Sequence, residues 1–88
     1  DAKQRARAFL GCGIAYTKQG KASEAADVLN DAVQLRPADH GLRIVLASAL
    51  KSAGQPETAL EHLRVAAQKD PKVTEAYITP LLKELEKK

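Results

Sequence analysis

The chain is short of the residues on which disulfide-stapled, membrane-spanning and nucleic-acid-binding proteins rely. Its 88 residues include one cysteine, no tryptophan and no methionine, and the aromatics are Phe9, Tyr16 and Tyr77 alone. A single thiol, Cys12, closes no intramolecular disulfide, and it leaves a cytoplasmic or a periplasmic location equally open. Apolar runs stop at three or four residues, against the roughly 20 needed to cross a bilayer. No membrane partner is therefore expected. The net charge is +3, with 14 Lys and Arg against 11 Asp and Glu, and the two signs alternate along the chain. Nucleic-acid binders gather their cations on one face and add aromatics for stacking, so no nucleic-acid partner is expected either. The chain lacks an initiating methionine and opens with "DAKQRARAF", which is expected of a processed product or of a piece cut from a longer protein.

Catalytic signatures are equally sparse. There is no Gly-rich phosphate loop, no nucleophile elbow and no HExxH. Cys12 falls on the apolar face of the first helix beside Gly13, where a small inert core residue is wanted, and no histidine is near it in sequence. His40, after Asp39 at a helix start, and His62, between Glu61 and Leu63, read as solvated; two isolated histidines make no metal site. Glu24, Asp27, Asp31, Glu57 and Glu61 recur at helical spacing opposite the apolar stripe, as an ordinary solvated face does. No catalytic residue, cofactor or metal is predicted, and the chain does not read as an enzyme.

What is present is helix-forming and periodic. Ala and Leu are abundant, while Val, Ile and aromatics are few, a balance that favours helix over strand. Ala8, Phe9, Cys12, Ile14, Ala15 and Tyr16, then Ala25, Val28, Leu29, Ala32, Val33 and Leu35, recur at helical spacing. Breaks fall at Gly20, Pro37, Gly54 and Pro71. Gly20 and Gly54 suit helix C-termini that need a left-handed residue, Pro56 suits a first turn, and Asp39 is an N-cap. The spacing predicts five helices, at roughly 2–18, 22–35, 40–53, 56–69 and 74–87, joined by loops of three to five residues that force neighbours antiparallel. Pro80 denies Ala76 its hydrogen bond, so the last helix should kink there or restart with Thr79 as cap.

Two of these stretches are nearly the same. "GKASEAADVLNDAVQLRP" at 20–37 and "GQPETALEHLRVAAQKDP" at 54–71 pair Gly20 with Gly54, Ala25 with Ala59, Leu29 with Leu63, Ala32 with Ala66, Gln34 with Gln68 and Pro37 with Pro71, each offset by 34. Helix pairs at this period, with these small residues, resemble the tetratricopeptide repeat. In the first unit, about 6–39, Phe9 and Tyr16 resemble the family's aromatics, Gly13, Ala25 and Ala32 its small residues, Leu29 its large one and Pro37 its closing proline. The second, about 40–73, keeps Leu46, Ala47, Gly54, Ala59, Leu63, Ala66 and Pro71 but has Arg43 and Leu50 where aromatics are expected. A third is begun at 74–88 with Tyr77 in the aromatic place, and no second helix follows. The resemblance implies an all-α superhelix of two helix-turn-helix units plus a C-terminal capping helix, in a single domain over 1–88. The small residues would let helix axes approach while Phe9, Tyr16, Leu29 and Leu63 fill the remaining volume.

In this family the first helix of each unit lines a concave groove. By resemblance, Arg7, Leu10, Ile14, Thr17 and Lys18 would face it from the first unit, Gly41, Ile44, Val45, Ser48, Lys51 and Ser52 from the second, and Glu75, Ile78 and Leu82 from the last helix. Members that grip a chaperone's C-terminal carboxylate use Lys, Asn and Arg there. Leu10, Ile14, Val45 and Ser48 occupy or adjoin those places in this chain, which argues against such a clamp. An apolar strip flanked by Arg7, Lys18 and Lys51 suits the nonpolar side of a partner helix or an extended peptide with some acidic residues. The expected function is a non-catalytic protein–protein interaction scaffold. The alternatives are a segment of a longer repeat array that stacks or self-associates, and a regulatory domain attached to an enzyme.

Overall fold

The computed structural model describes residues 1–87, so Lys88, the last residue of the expected domain, lies outside them. Four α-helices run Ala2–Lys18 (α1), Ala22–Leu35 (α2), His40–Ser52 (α3) and Pro56–Lys69 (α4); a π-helical turn over Thr74–Ile78 then leads directly into α5, Thr79–Glu86. Among the described residues there is no strand. The architecture is the expected all-α helical repeat.

The helix ends repeat as faithfully as the helix faces. Gly20 and Gly54 have φ of 77° and 81°, the left-handed conformation that costs glycine nothing. Each sits inside the same pair of hydrogen bonds. Lys21 N–H donates to the Tyr16 carbonyl and Gly20 N–H to Thr17; 34 residues later Gln55 N–H donates to Leu50 and Gly54 N–H to Lys51. This is the Schellman closure of a helix C-terminus. It turns the chain so that α2 returns along α1 and α4 along α3. Asp39 Oδ1 accepts from Leu42 N–H at 3.2 Å, capping α3, and Pro56 opens α4.

Small residues set how closely the helices approach. Ala25, Ala32, Ala59 and Ala66 have no exposed surface, and Leu29, Leu46 and Val73 are the largest side chains fully enclosed. α1 packs on α2, α2 on α3, α3 on α4, and α4 on the π turn, so one core runs through the stack. Phe9 and Tyr16 are half-buried against it. Gly13 lies where α1 meets α2: a Cβ built there would come within 2.5 Å of Leu29 Cγ.

Two expectations about this packing need correction. Cys12 is exposed, not buried. Its counterpart one period on, Leu46, is only 1 % exposed because α2 packs on α3; among the described residues no helix covers that face of α1. The kink or restart expected at Pro80 takes the form of a π turn that runs into α5 at Thr79, without Thr79 as its cap. Val73, Ile78 and Thr79 keep right-handed helical dihedrals, and Thr79 N–H donates to the Thr74 carbonyl five residues back. No side chain caps the start of α5. A π turn spreads the chain around the missing Pro80 N–H without breaking the helix. The segment thereby leaves the register of α1 and α3: Ile78 is buried and Tyr77, set in the aromatic place by the period, is 47 % exposed.

Candidate functional site

Two open clefts meet on the α1, α3 and α5 side of the stack. The first, about 460 Å³, is lined by Ile14, Thr17 and Lys18 of α1, Gly20, Ala22, and Val45, Ser48, Ala49 and Ser52 of α3. The second, about 270 Å³, is lined by Ile44, Ala47, Ser48 and Lys51 of α3, Leu63 of α4, Ala76 and Tyr77 of the π turn, and Pro80 and Leu81 of α5. Ser48 lines both, so the two clefts adjoin along α3 and together extend from α1 to α5. Their walls are largely apolar: Ile14 is 46 % exposed, and Ile44 and Val45 are half-buried against the core.

Helical spacing explains the groove. Ile44, Ser48 and Lys51 recur three and four residues apart on α3, as do Ile14, Thr17 and Lys18 on α1, so each set shares one face. The Thr17 hydroxyl donates to the Gly13 carbonyl of its own helix at 2.8 Å. Of the residues expected in the groove, Ile14, Lys18, Ile44, Val45, Ser48 and Lys51 are brought together. Arg7 and Leu10 are not with them; they line a separate cleft with Lys3, Ala6, Arg36, Asp39 and Leu42. Ile78 is only 6 % exposed and belongs to the core, displaced from the groove wall by the register shift of the π turn. Tyr77 lines the groove instead.

Lys51 carries a partner that helical pattern did not reveal. Its Nζ donates to Glu84 Oε1 at 3.1 Å, in the one ion pair among the described residues. The two residues are 33 apart, one short of the repeat period, and this was the available signal that Glu84 would stand beside Lys51 on the neighbouring helix. Lys18 and Lys51 are the charged residues of the two clefts, and no carboxylate lines either.

A polar contact on the other side of α3 also escaped the sequence reading. Arg43, standing where an aromatic is expected, donates from Nε to the Pro37 carbonyl at 3.1 Å and from Nη1 to His62 Nδ1 at 2.9 Å. The guanidinium only donates, so Nδ1 accepts and the imidazole is neutral, with its proton on Nε2. Burial lowers the His62 pKa from 6.5, the Arg43 charge lowers it further, and Glu61 opposes both. His62 is thus a half-buried tie between α3 and α4, not a solvated residue. Chemically the groove offers apolar surface, hydroxyls and two ammonium groups. Among the described residues no group of three or more His, Cys, Asp or Glu is placed to hold a metal ion, and no helix is long and apolar enough to cross a membrane.

A family model described as tetratricopeptide repeat matches residues 16–81. No curated protein sequence matches the chain.

Proposed function

The chain belongs to the tetratricopeptide repeat family, whose repeats are generally protein–protein interaction modules, and from that premise we propose that it is a non-catalytic scaffold gripping a peptide or helix of a partner protein in its concave groove. The observation that carries this reading is that the two largely apolar clefts adjoin at Ser48, with Ile14 nearly half exposed at one end and Tyr77 at the other. Large apolar side chains left in contact with water along one face mark a docking surface, and a groove of helical walls accepts either an amphipathic helix or an extended segment. Peptides selected from a random library against this chain are expected to lose binding to Ile14→Glu and to Ile44→Glu, while the far-ultraviolet circular dichroism of both variants stays helical. Affinity kept by both variants would remove the groove from the account.

A second reading is favoured by α1. Ala8, Cys12 and Ala15 are exposed, whereas their counterparts one period on, Leu42, Leu46 and Ala49, are buried against α2. That face of α1 has the geometry on which a further helix stacks, either of a longer array or of a second copy. Sedimentation equilibrium separates the two readings: a monomer at all concentrations favours a groove open to a foreign partner, and a dimer dissolved by Cys12→Glu but not by Ile14→Glu favours stacking through α1.

A further inference from the structure

Resting on the groove reading, the partner can be given a chemical class. The charged side chains lining the groove are both cationic, Lys18 in one cleft and Lys51 in the other. Lys51 is already neutralised, not by a groove wall but by Glu84, which reaches it from α5 at 3.1 Å. α5 is held by Leu81, 4 % exposed, and by Leu85, half-buried against the core. Glu84 itself is exposed, as is Lys51, with side chains 54 % and 50 % accessible. An ion pair so exposed shifts an equilibrium by no more than about five-fold. It is weak enough to be exchanged for another carboxylate.

We propose that the groove takes an apolar segment bearing acidic side chains, that one of its carboxylates replaces Glu84 on Lys51, and that Glu84 is the chain's own stand-in for that ligand group. The apolar side chains of the segment lie along Ile14, Val45 and Ile44. Lys18, in the adjoining cleft, is the partner for a second acidic residue of the segment. Because a second carboxylate brought to Lys51 would stand against the like charge of Glu84, α5 competes with every acidic ligand and sets a threshold on its affinity. Charge complementarity selects this class over neutral segments, since like charges facing the lysines are penalised and uncharged residues leave the Lys51–Glu84 pair undisturbed.

The test uses two fluorescein-labelled decapeptides, amidated at the C-terminus so that they carry no terminal carboxylate. One alternates leucine with glutamate and the other leucine with glutamine. Fluorescence anisotropy is read against the wild-type chain, Glu84→Gln, Lys51→Met and Ile14→Glu. The leucine–glutamate peptide is expected to bind the wild type more tightly than its neutral twin. Glu84→Gln should tighten the acidic peptide by two- to five-fold, the whole worth of the displaced pair, and leave the neutral one unchanged. Lys51→Met should erase most of the difference between the peptides. The inference is overturned if Glu84→Gln leaves the acidic peptide unchanged, if it tightens both alike, or if the acidic peptide fails to bind the wild type at about 1 mM, the weak end of specific affinity. Binding of both peptides to Ile14→Glu at wild-type strength would instead refute the groove itself, so the two failures are distinguishable.

Discussion

Replacing Gly13 by alanine tests whether close helix approach or local helix propensity governs the α1–α2 contact. The new Cβ would lie 2.5 Å from Leu29 Cγ, 2.6 Å from Cδ2 and 3.0 Å from Cδ1, where carbon atoms prefer about 3.5–4.0 Å. Something must move by about 1 Å. The Leu29 side chain is 1 % exposed, so it cannot swing into solvent, and overpacking of this kind costs about 1–3 kcal/mol. Against this, alanine gains about 1 kcal/mol over glycine within a helix. The net expectation is a loss of about 0–2 kcal/mol, a fall in Tm of up to about 15 °C for a domain this small. Since that range touches zero, the decisive quantity is the coupling with Leu29 in a double-mutant cycle. Gly13→Ala, Leu29→Ala, their combination and the wild type would be unfolded with urea in one buffer containing trimethylamine N-oxide, which supports the weaker variants. In the Leu29→Ala background the clash is gone and Gly13→Ala should stabilise. A coupling energy near zero, or Gly13→Ala stabilising the wild type by the full helix-propensity gain, would refute the close-contact reasoning.

Other positions separate in the same way. A Cβ at Gly11 meets no atom within 4 Å, so Gly11→Ala should raise stability by about 1 kcal/mol, whereas Gly20→Ala or Gly54→Ala, at positive φ, should lower it by about 1–2 kcal/mol; urea midpoints check both. The native state holds His62 below its ordinary pKa of 6.5, so in the window below 6.5 the unfolded chain binds more protons and stability rises with pH. Acidification should thus begin to destabilise the fold as pH falls through about 6.5, and His62→Gln should remove that dependence; an unchanged pH profile in the variant would contradict the assignment. Pro80→Ala supplies the missing donor to the Ala76 carbonyl, so Thr74–Ile78 should relax toward an α-turn, with the amide of residue 80 protected from hydrogen exchange and stability higher by up to about 3 kcal/mol; a rapidly exchanging amide there would show that Pro80 is not what holds the π turn.

Much of the fold was readable because it rests on local, repeated chemistry. Gly20 and Gly54 mark helix ends by a conformation only glycine adopts cheaply, Asp39 caps by its side chain, and the alanines at a 34-residue offset mark close helix contacts. Cys12 escaped because burial of a repeat position depends on a neighbouring helix, and the same position is enclosed in α3 and open in α1. Ile78 and Tyr77 escaped because Pro80 can be absorbed by a π turn, which shifts register without leaving a signal of its own. The groove residues of α1 and α3 were named by resemblance to the repeat family, which put Arg7 and Leu10 among them although they line a separate cleft, and the partners of their polar neighbours were not legible at all. Lys51–Glu84 and Arg43–His62 join residues 33 and 19 apart, and such pairs depend on packing that no single helix specifies.

The central claim is that a partner segment lies in the groove shared by α1, α3 and α5. Its most direct test is a backbone amide shift map by nuclear magnetic resonance, titrating the chain with a peptide selected for binding to it. The account predicts that the large shifts fall around Ile14, Lys18, Val45, Ser48, Lys51 and Tyr77, with the outward face of α2 and α4, at Asn30, Asp31 and Arg64, unmoved. Shifts centred on that outward face, or on Ala8, Cys12 and Ala15 of α1, with the groove silent, would contradict it.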